Sequence, residues 1–218
     1  DEVCLAMGHL VDLRYLNLFS CELVTDMGVQ TICLKHPHLT QLNVNRCSLT
    51  NDALVHISEL RELDYFGAGG TDIDDMGLSY LSLNTKLRHV SFFGNNITGS
   101  GFKYFQDHPR LERIHLNGTS FTGERNFKNF TNLTQLSLAS VQIEDGFLDL
   151  LSPLTQLQRL NLSQCDLITN TGLSIIPNFQ LLQFLNLKSC KKLTDELIFY
   201  LTKLKNLKRL NLESLNFH

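Results

Sequence analysis

Nine times along the chain an apolar residue is followed three positions on by a second, and two further on by a third. The pattern reads Leu13-x-x-Leu16-x-Leu18, Leu39-x-x-Leu42-x-Val44, Leu63-x-x-Phe66-x-Ala68, Leu87-x-x-Val90-x-Phe92 and Leu111-x-x-Ile114-x-Leu116. It continues as Leu133-x-x-Leu136-x-Leu138, Leu157-x-x-Leu160-x-Leu162, Leu182-x-x-Leu185-x-Leu187 and Leu207-x-x-Leu210-x-Leu212. The first positions are 26, 24, 24, 24, 22, 24, 25 and 25 residues apart. A single globular core has no reason to keep such an interval. A stack of like units does, because each unit buries its face only against its neighbours. In the third repeat Leu60-x-x-Leu63-x-Tyr65 also fits. The Leu63 register keeps the 24-residue interval on both sides and accepts a small Ala68 at a core position.

Three residues past each third apolar position stands a small or polar residue: Cys21, Cys47, Thr71, Asn95, Thr119, Val141, Cys165, Cys190 and Leu215. There the chain must leave the strand, and such a side chain can bond turn backbone. A few residues on, an apolar residue precedes Thr, as in Leu49-Thr50, Ile97-Thr98, Phe121-Thr122, Ile168-Thr169 and Leu193-Thr194-Asp195. Thr and Asp there read as helix N-caps. Apolar stripes at helical spacing follow, such as Phe102 with Phe105, Phe147 with Leu150, Leu151 and Leu154, and Leu197 with Leu201 and Leu204. The expectation is an α/β solenoid, right-handed and curved, of nine strand–turn–helix repeats of about 24 residues with a parallel sheet on its concave side. Residues 1–218 form one such domain. It is expected to be a fragment of a longer chain or capped by a partner over Leu210, Leu212 and Leu215.

The net charge of −3, from 19 Lys+Arg and 22 Asp+Glu, argues against a general nucleic-acid binder or a partner of anionic membranes. No apolar run approaches the ~18 residues of a membrane span. Six cysteines without a C-x-x-C pair support neither a zinc knuckle nor a redox dithiol. Cys21, Cys47, Cys165 and Cys190 are expected to be buried, reduced and unpaired, which points to the cytoplasm or another reducing compartment. Sequons at Asn96, Asn117, Asn129, Asn132 and Asn161 stand against that, and Asn161 falls within a strand. His36-x-His38 and the Asp72, Asp74, Asp75 group are the nearest approach to metal ligands. The first lacks a third ligand and the second lies at a helix start, where carboxylates suit the dipole. No phosphate loop, nucleophile elbow or metalloprotease motif occurs. The reading is therefore neither an enzyme nor a cofactor protein.

The interval, the Cys at the turn and the following Leu/Ile-Thr-Asp resemble the cysteine-containing class of leucine-rich repeats, familiar from the substrate-binding halves of F-box proteins. The resemblance covers essentially the whole chain. Repeats three to six and nine lack the Cys, Thr98-Gly99 and Thr122-Gly123 replace Thr-Asp, and no F-box helices precede the repeats. The resemblance implies a protein-interaction module that binds a protein partner on its concave face. It also suggests a ubiquitin-ligase substrate adaptor reached through a Skp1-type adaptor or a larger complex. A structural subunit of a large assembly, a host-directed microbial effector and a secreted recognition receptor are the competing readings.

Residues between the apolar strand positions point outward. Repeats one to five then gather Tyr15, Phe19, Tyr65, His89, Phe93 and His115 around Gly67, Gly69 and Gly70. Aromatic side chains beside a glycine depression would receive a partner's side chain or a short peptide. Farther along, Arg113, Arg159 and Arg209 form a cationic row with Lys188 and Lys208 nearby. Tyr15, Phe19, Tyr65, His89, Phe93, Arg113, His115 and Arg159 are the candidate contacts. Asn17, Asn43, Asn161, Asn186 and Asn211 are expected to bond along the sheet as an amide ladder.

Overall fold

The computed structural model describes residues 1–106 and 108–215. It divides into two compact units, residues 1–111 and residues 112–218. The first holds strands β1 (Tyr15–Asn17), β2 (Gln41–Asn43), β3 (Tyr65–Gly67) and β4 (His89–Ser91). The second holds β5 (Arg113–His115), β6 (Gln135–Ser137), β7 (Arg159–Asn161), β8 (Phe184–Asn186) and β9 (Arg209–Asn211). Within each unit the strands pair in chain order and in parallel, equivalent residue against equivalent residue. Tyr65 pairs with Gln41 and His89, and Phe66 and Ala68 are fully buried, so the Leu63 register holds.

Each strand is left through one residue in the left-handed region: Ser20, Arg46, Gly70, Gly94, Gly118, Ser140, Gln164, Ser189 and Ser214, with φ between 57° and 72°. The turn residue that follows is used as expected. The thiols of Cys47, Cys165 and Cys190 donate to the carbonyls of Leu18, Leu138 and Leu162 in the preceding repeat, at 3.3, 3.1 and 3.0 Å. Thr71 and Thr119 bond their own turns instead, at Ala68 and Leu116. Cys21 departs from expectation: it is exposed, because no earlier strand in the structure lies over it or offers it a carbonyl.

The chain begins with helix α1 (Glu2–Ala6) and a 3-10 turn at Met7–His9. The returns between strands are not all α-helices. α2 (Asp26–Lys35), α3 (Asp52–Ile57), α4 (Asp145–Asp149) and α5 (Leu197–Leu201) are, whereas Gly77–Leu83, Ser100–Phe105, Arg125–Asn129 and Gly172–Asn178 are 3-10. A 3-10 turn rises ~2.0 Å per residue against ~1.5 Å in an α-helix, so it spans the same distance with fewer residues. The 26-residue interval carries the ten-residue α2 and the 22-residue interval a 3-10 return, while the 24- and 25-residue intervals hold either type. In the second unit Phe121, Phe127, Phe130 and Phe147 fill the space behind β5 and β6, with ring centroids 5.0–5.6 Å apart.

The expected N-caps serve a different purpose. None of the five α-helices is capped by the side chain of its own N-cap residue; the carboxylates reach forward one repeat. Asp1 accepts from Thr25 N–H and Oγ1–H, Asp26 does so from Thr50, and Asp145 from Thr169, with Oγ1 distances of 2.6, 2.8 and 2.6 Å. Asp75 binds Thr98 through N–H and Oγ1–H and also takes the N–H groups of Gly99 and Gly101. Asn51 exchanges two bonds with Asp74, and Asn170 two with Thr194. These clamps bind neighbouring repeats, and they engage two of the carboxylates singled out as metal-ligand candidates.

Candidate functional site

The outward strand faces present the candidate contacts in two groups, one in each unit. In the first, Tyr15 and Phe19 stand 57% and 48% exposed. The Arg46 guanidinium lies 5.6 Å from the Phe19 ring centroid, and Phe19 N–H donates to Asn17 Oδ1. Tyr65 and His89 meet edge to face at 6.3 Å. Both are half-buried, as is Phe93.

The glycine depression is occupied by the protein itself, which corrects the sequence reading. Gly67 and Gly69 are buried. A β-carbon on Gly69 would enter the Phe93 ring, and one on Gly67 would meet the Tyr65 hydroxyl and the Asn45 amide. Phe93 is therefore folded onto the neighbouring strand, where the missing side chain makes room for it. Asn45, 4% exposed, donates to Asn43 Oδ1 and accepts from Gly69 N–H. Burial raises the Tyr65 phenol above its ordinary range, against a hydrogen bond with Asn45 that lowers it. Tyr65, His89 and Phe93 thus form a packed platform, and Tyr15 and Phe19 are the more exposed aromatic groups of the five.

The middle-position asparagines do not form a general ladder. Asn17, Asn43, Asn161, Asn186 and Asn211 each accept the N–H two residues on, which closes the strand end locally. Among these five described residues, a short cross-strand chain exists only where Asn161 donates to Ser137 and Ser137 to Asn117.

In the second unit the structure groups His115 with Arg113 and Arg159. Burial, then the charges of Arg113 and Arg159, hold the His115 imidazole below its usual range. His115, Gln135, Ser137, Arg159, Asn161 and Phe184 line a shallow hollow of about 260 Å³. The Arg159 guanidinium lies over the Phe184 ring, 4.5 Å from its centroid. The sequence reading placed Phe184 and Gln135 in the outward row but not among the contacts. Their shared register with Arg159 was the available signal.

Two family models match. The one described as At1g61320/AtMIF1, LRR domain, matches residues 106–215, and the one described as Leucine Rich repeat matches residues 9–33, 35–58 and 83–105. Among curated proteins, the Antagonist of mitotic exit network protein 1 of Eremothecium gossypii is 32% identical over 77 residues, 34% of this chain and 20% of that protein. Its namesake in Saccharomyces cerevisiae is 32% identical over 80 residues, 34% of this chain and 15% of that protein. The matches thus span a fifth or less of these relatives' length. Among solved structures, an internalin (inlF) of Listeria monocytogenes superposes with a TM-score of 0.77 at 20% identity, covering 95% of this chain and 63% of that one. The Arabidopsis receptor kinase HAESA, in complex with the peptide hormone IDA and the co-receptor SERK1, gives 0.68 at 21%, covering 95% and 35%.

Proposed function

The chain belongs to the leucine-rich-repeat family, by the At1g61320/AtMIF1 LRR domain match over half its length, and from this premise we propose that it recognises a protein partner on its outward strand face. The observation that carries the reading is the exposure of Tyr15 and Phe19 beside a packed aromatic platform. Large apolar groups held on a rigid sheet lose little entropy on binding, which is how interface anchors work. HAESA, a structural neighbour, is solved with a peptide hormone, so the fold has a member that takes a peptide ligand. Binding rather than catalysis also fits the thiols: burial pushes Cys33 and Cys165 up to about 12, which withholds a thiolate nucleophile at neutral pH. The unpaired, hydrogen-bonded thiols of Cys165 and Cys190 support residence in a reducing compartment. Service as an F-box-like substrate adaptor is the finer form of this proposal.

Affinity capture from the source cell tests it with three proteins: the unaltered chain, the Tyr15→Ala/Phe19→Ala variant, and Phe199→Ala on α5, where the ring is 66% exposed. The double variant is expected to lose the partner, at about 1–3 kcal/mol per anchor, with an unchanged melting temperature. A Skp1-type protein in the captured set supports the adaptor role. Loss of the partner with Phe199→Ala alone overturns the strand-face reading and favours an assembly subunit.

A further inference from the structure

The row of second outward positions in the second unit runs Arg113, Gln135, Arg159, Phe184, Arg209 on β5 to β9, each residue opposite the next in register. Arginine therefore recurs on every second strand. With ~4.8 Å between neighbouring strands, successive arginines start ~9.6 Å apart. Two other cations of this unit have acidic partners, Lys188 with Glu213 at 2.8 Å and Lys191 with Asp166 at 3.0 Å. Among the described residues no ion pair joins a carboxylate to Arg113, Arg159 or Arg209. Three guanidiniums are thus left with open donors on one line, in a chain whose net charge is negative.

We propose that this row binds an extended acidic segment of the protein partner, in a polyproline-II-like conformation, with a carboxylate at every third residue. A polyproline-II chain rises ~3.1 Å per residue with three residues per turn, so every third side chain returns to the same face after ~9.3 Å. That matches the arginine interval. An ordinary β-strand, whose side chains alternate, puts like-facing groups ~6.7 Å apart and does not. Stacking on Phe184 fixes the plane of the Arg159 guanidinium and leaves its edge donors for a bidentate carboxylate. Phe184, between Arg159 and Arg209, offers an apolar contact to the residues between the acids, and the Gln135 amide can bond the segment's carbonyls. Burial and the flanking arginines disfavour the charged form of His115, so the row's charge rests on its guanidiniums. The inference rests on the protein-recognition reading and deepens it by naming the partner's chemistry.

The test is fluorescence anisotropy of the intact chain with a labelled peptide of repeated Glu-Pro-Pro triplets at low ionic strength. The comparison probes are a peptide with Glu at every second position, a Gln-for-Glu peptide, and oligouridylate of matching length. The triplet peptide is expected to bind tightest, the Gln peptide not at all, and Arg159→Gln to weaken binding about tenfold. Arg159→Lys, which keeps the charge but not the planar fork, is expected to fall between. Equal binding of the every-second peptide, indifference to Arg159→Gln, or tighter binding of oligouridylate overturns the proposal. Failure of the triplet peptide while Tyr15- and Phe19-dependent capture persists overturns it alone and leaves the recognition reading standing.

Discussion

A cysteine at the repeat turn can satisfy its neighbours only as a neutral thiol. Cys47, Cys165 and Cys190 donate Sγ–H to carbonyls at the turn of the preceding repeat, and burial pushes them up to about 11, 12 and 11, with Cys33 at about 12. Their ordinary value is 9.0, so the folded state holds these protons more tightly than the unfolded one. The stability they contribute is complete below about pH 9 and is lost as pH rises toward about 12. Urea unfolding is expected to give a lower midpoint at pH 10.5 than at pH 8, and Cys165→Ala to narrow that difference. In native alkylation followed by mass spectrometry, exposed Cys21 is expected to label first and Cys165 last. The role of the turn cysteines was legible because their interval repeats. The exposure of Cys21 was not, since a repeat's pattern says nothing of what lies over it. Nor was the flattened Phe93, whose direction depends on the absent side chain at Gly69, one strand away.

At the scale of the element, intervals of equal length hold both α-helical and 3-10 returns. Apolar stripes such as Phe102 and Phe105 predict a return that buries one face, and both rings are fully buried. They do not distinguish an α-helix from a 3-10 turn, because both helix types place i and i+3 close together. Gly101 shows what decides the fit. A β-carbon there would lie 2.8 Å from the Asp75 carbonyl oxygen and as close to Leu78, while the Gly101 N–H donates to the Asp75 carboxylate at 2.8 Å. A backbone oxygen cannot swing aside, so Gly101→Ala must push the two repeats away from each other. The expected destabilisation is about 1–3 kcal/mol by thermal or urea unfolding, with the helical signal of α2 and α3 preserved. Thr98 and Asp75 were visible as cap-type residues, yet their pairing across repeats was hidden because a cap and a clamp use the same residue types.

Across the molecule, the number of repeats and their register could be read directly, since one apolar triplet per 22 to 26 residues leaves little freedom. The surface that meets a partner was less legible, because outward positions are free to vary without affecting the stack. The clamps occupy a middle ground. Most set an Asp or Asn against a Thr, but Asn51 faces Asp74, an amide against a carboxylate, and their bond holds the Asp74 carboxyl below its usual range. Asn51→Asp would bring two carboxylates together. It is expected to cost about 1–3 kcal/mol at neutral pH, with Asp74→Asn on the same chain restoring most of the loss, as chemical denaturation of the single and double variants would measure.

That mismatch-sensitive pairing bears on how such a chain can be rearranged over evolutionary time. Tandem duplication makes copies that should be interchangeable, and the shared strand register would permit shuffling. The clamp between Asn51 and Asp74 does not. A copy carrying Asp74 tolerates Asn51 before it but not Asp26, whereas Thr50 and Thr98 each donate to a carboxylate of the preceding repeat. The Asn51–Asp74 junction therefore carries a key that the Asp–Thr junctions of the first unit lack, written in polar side chains rather than in the leucines.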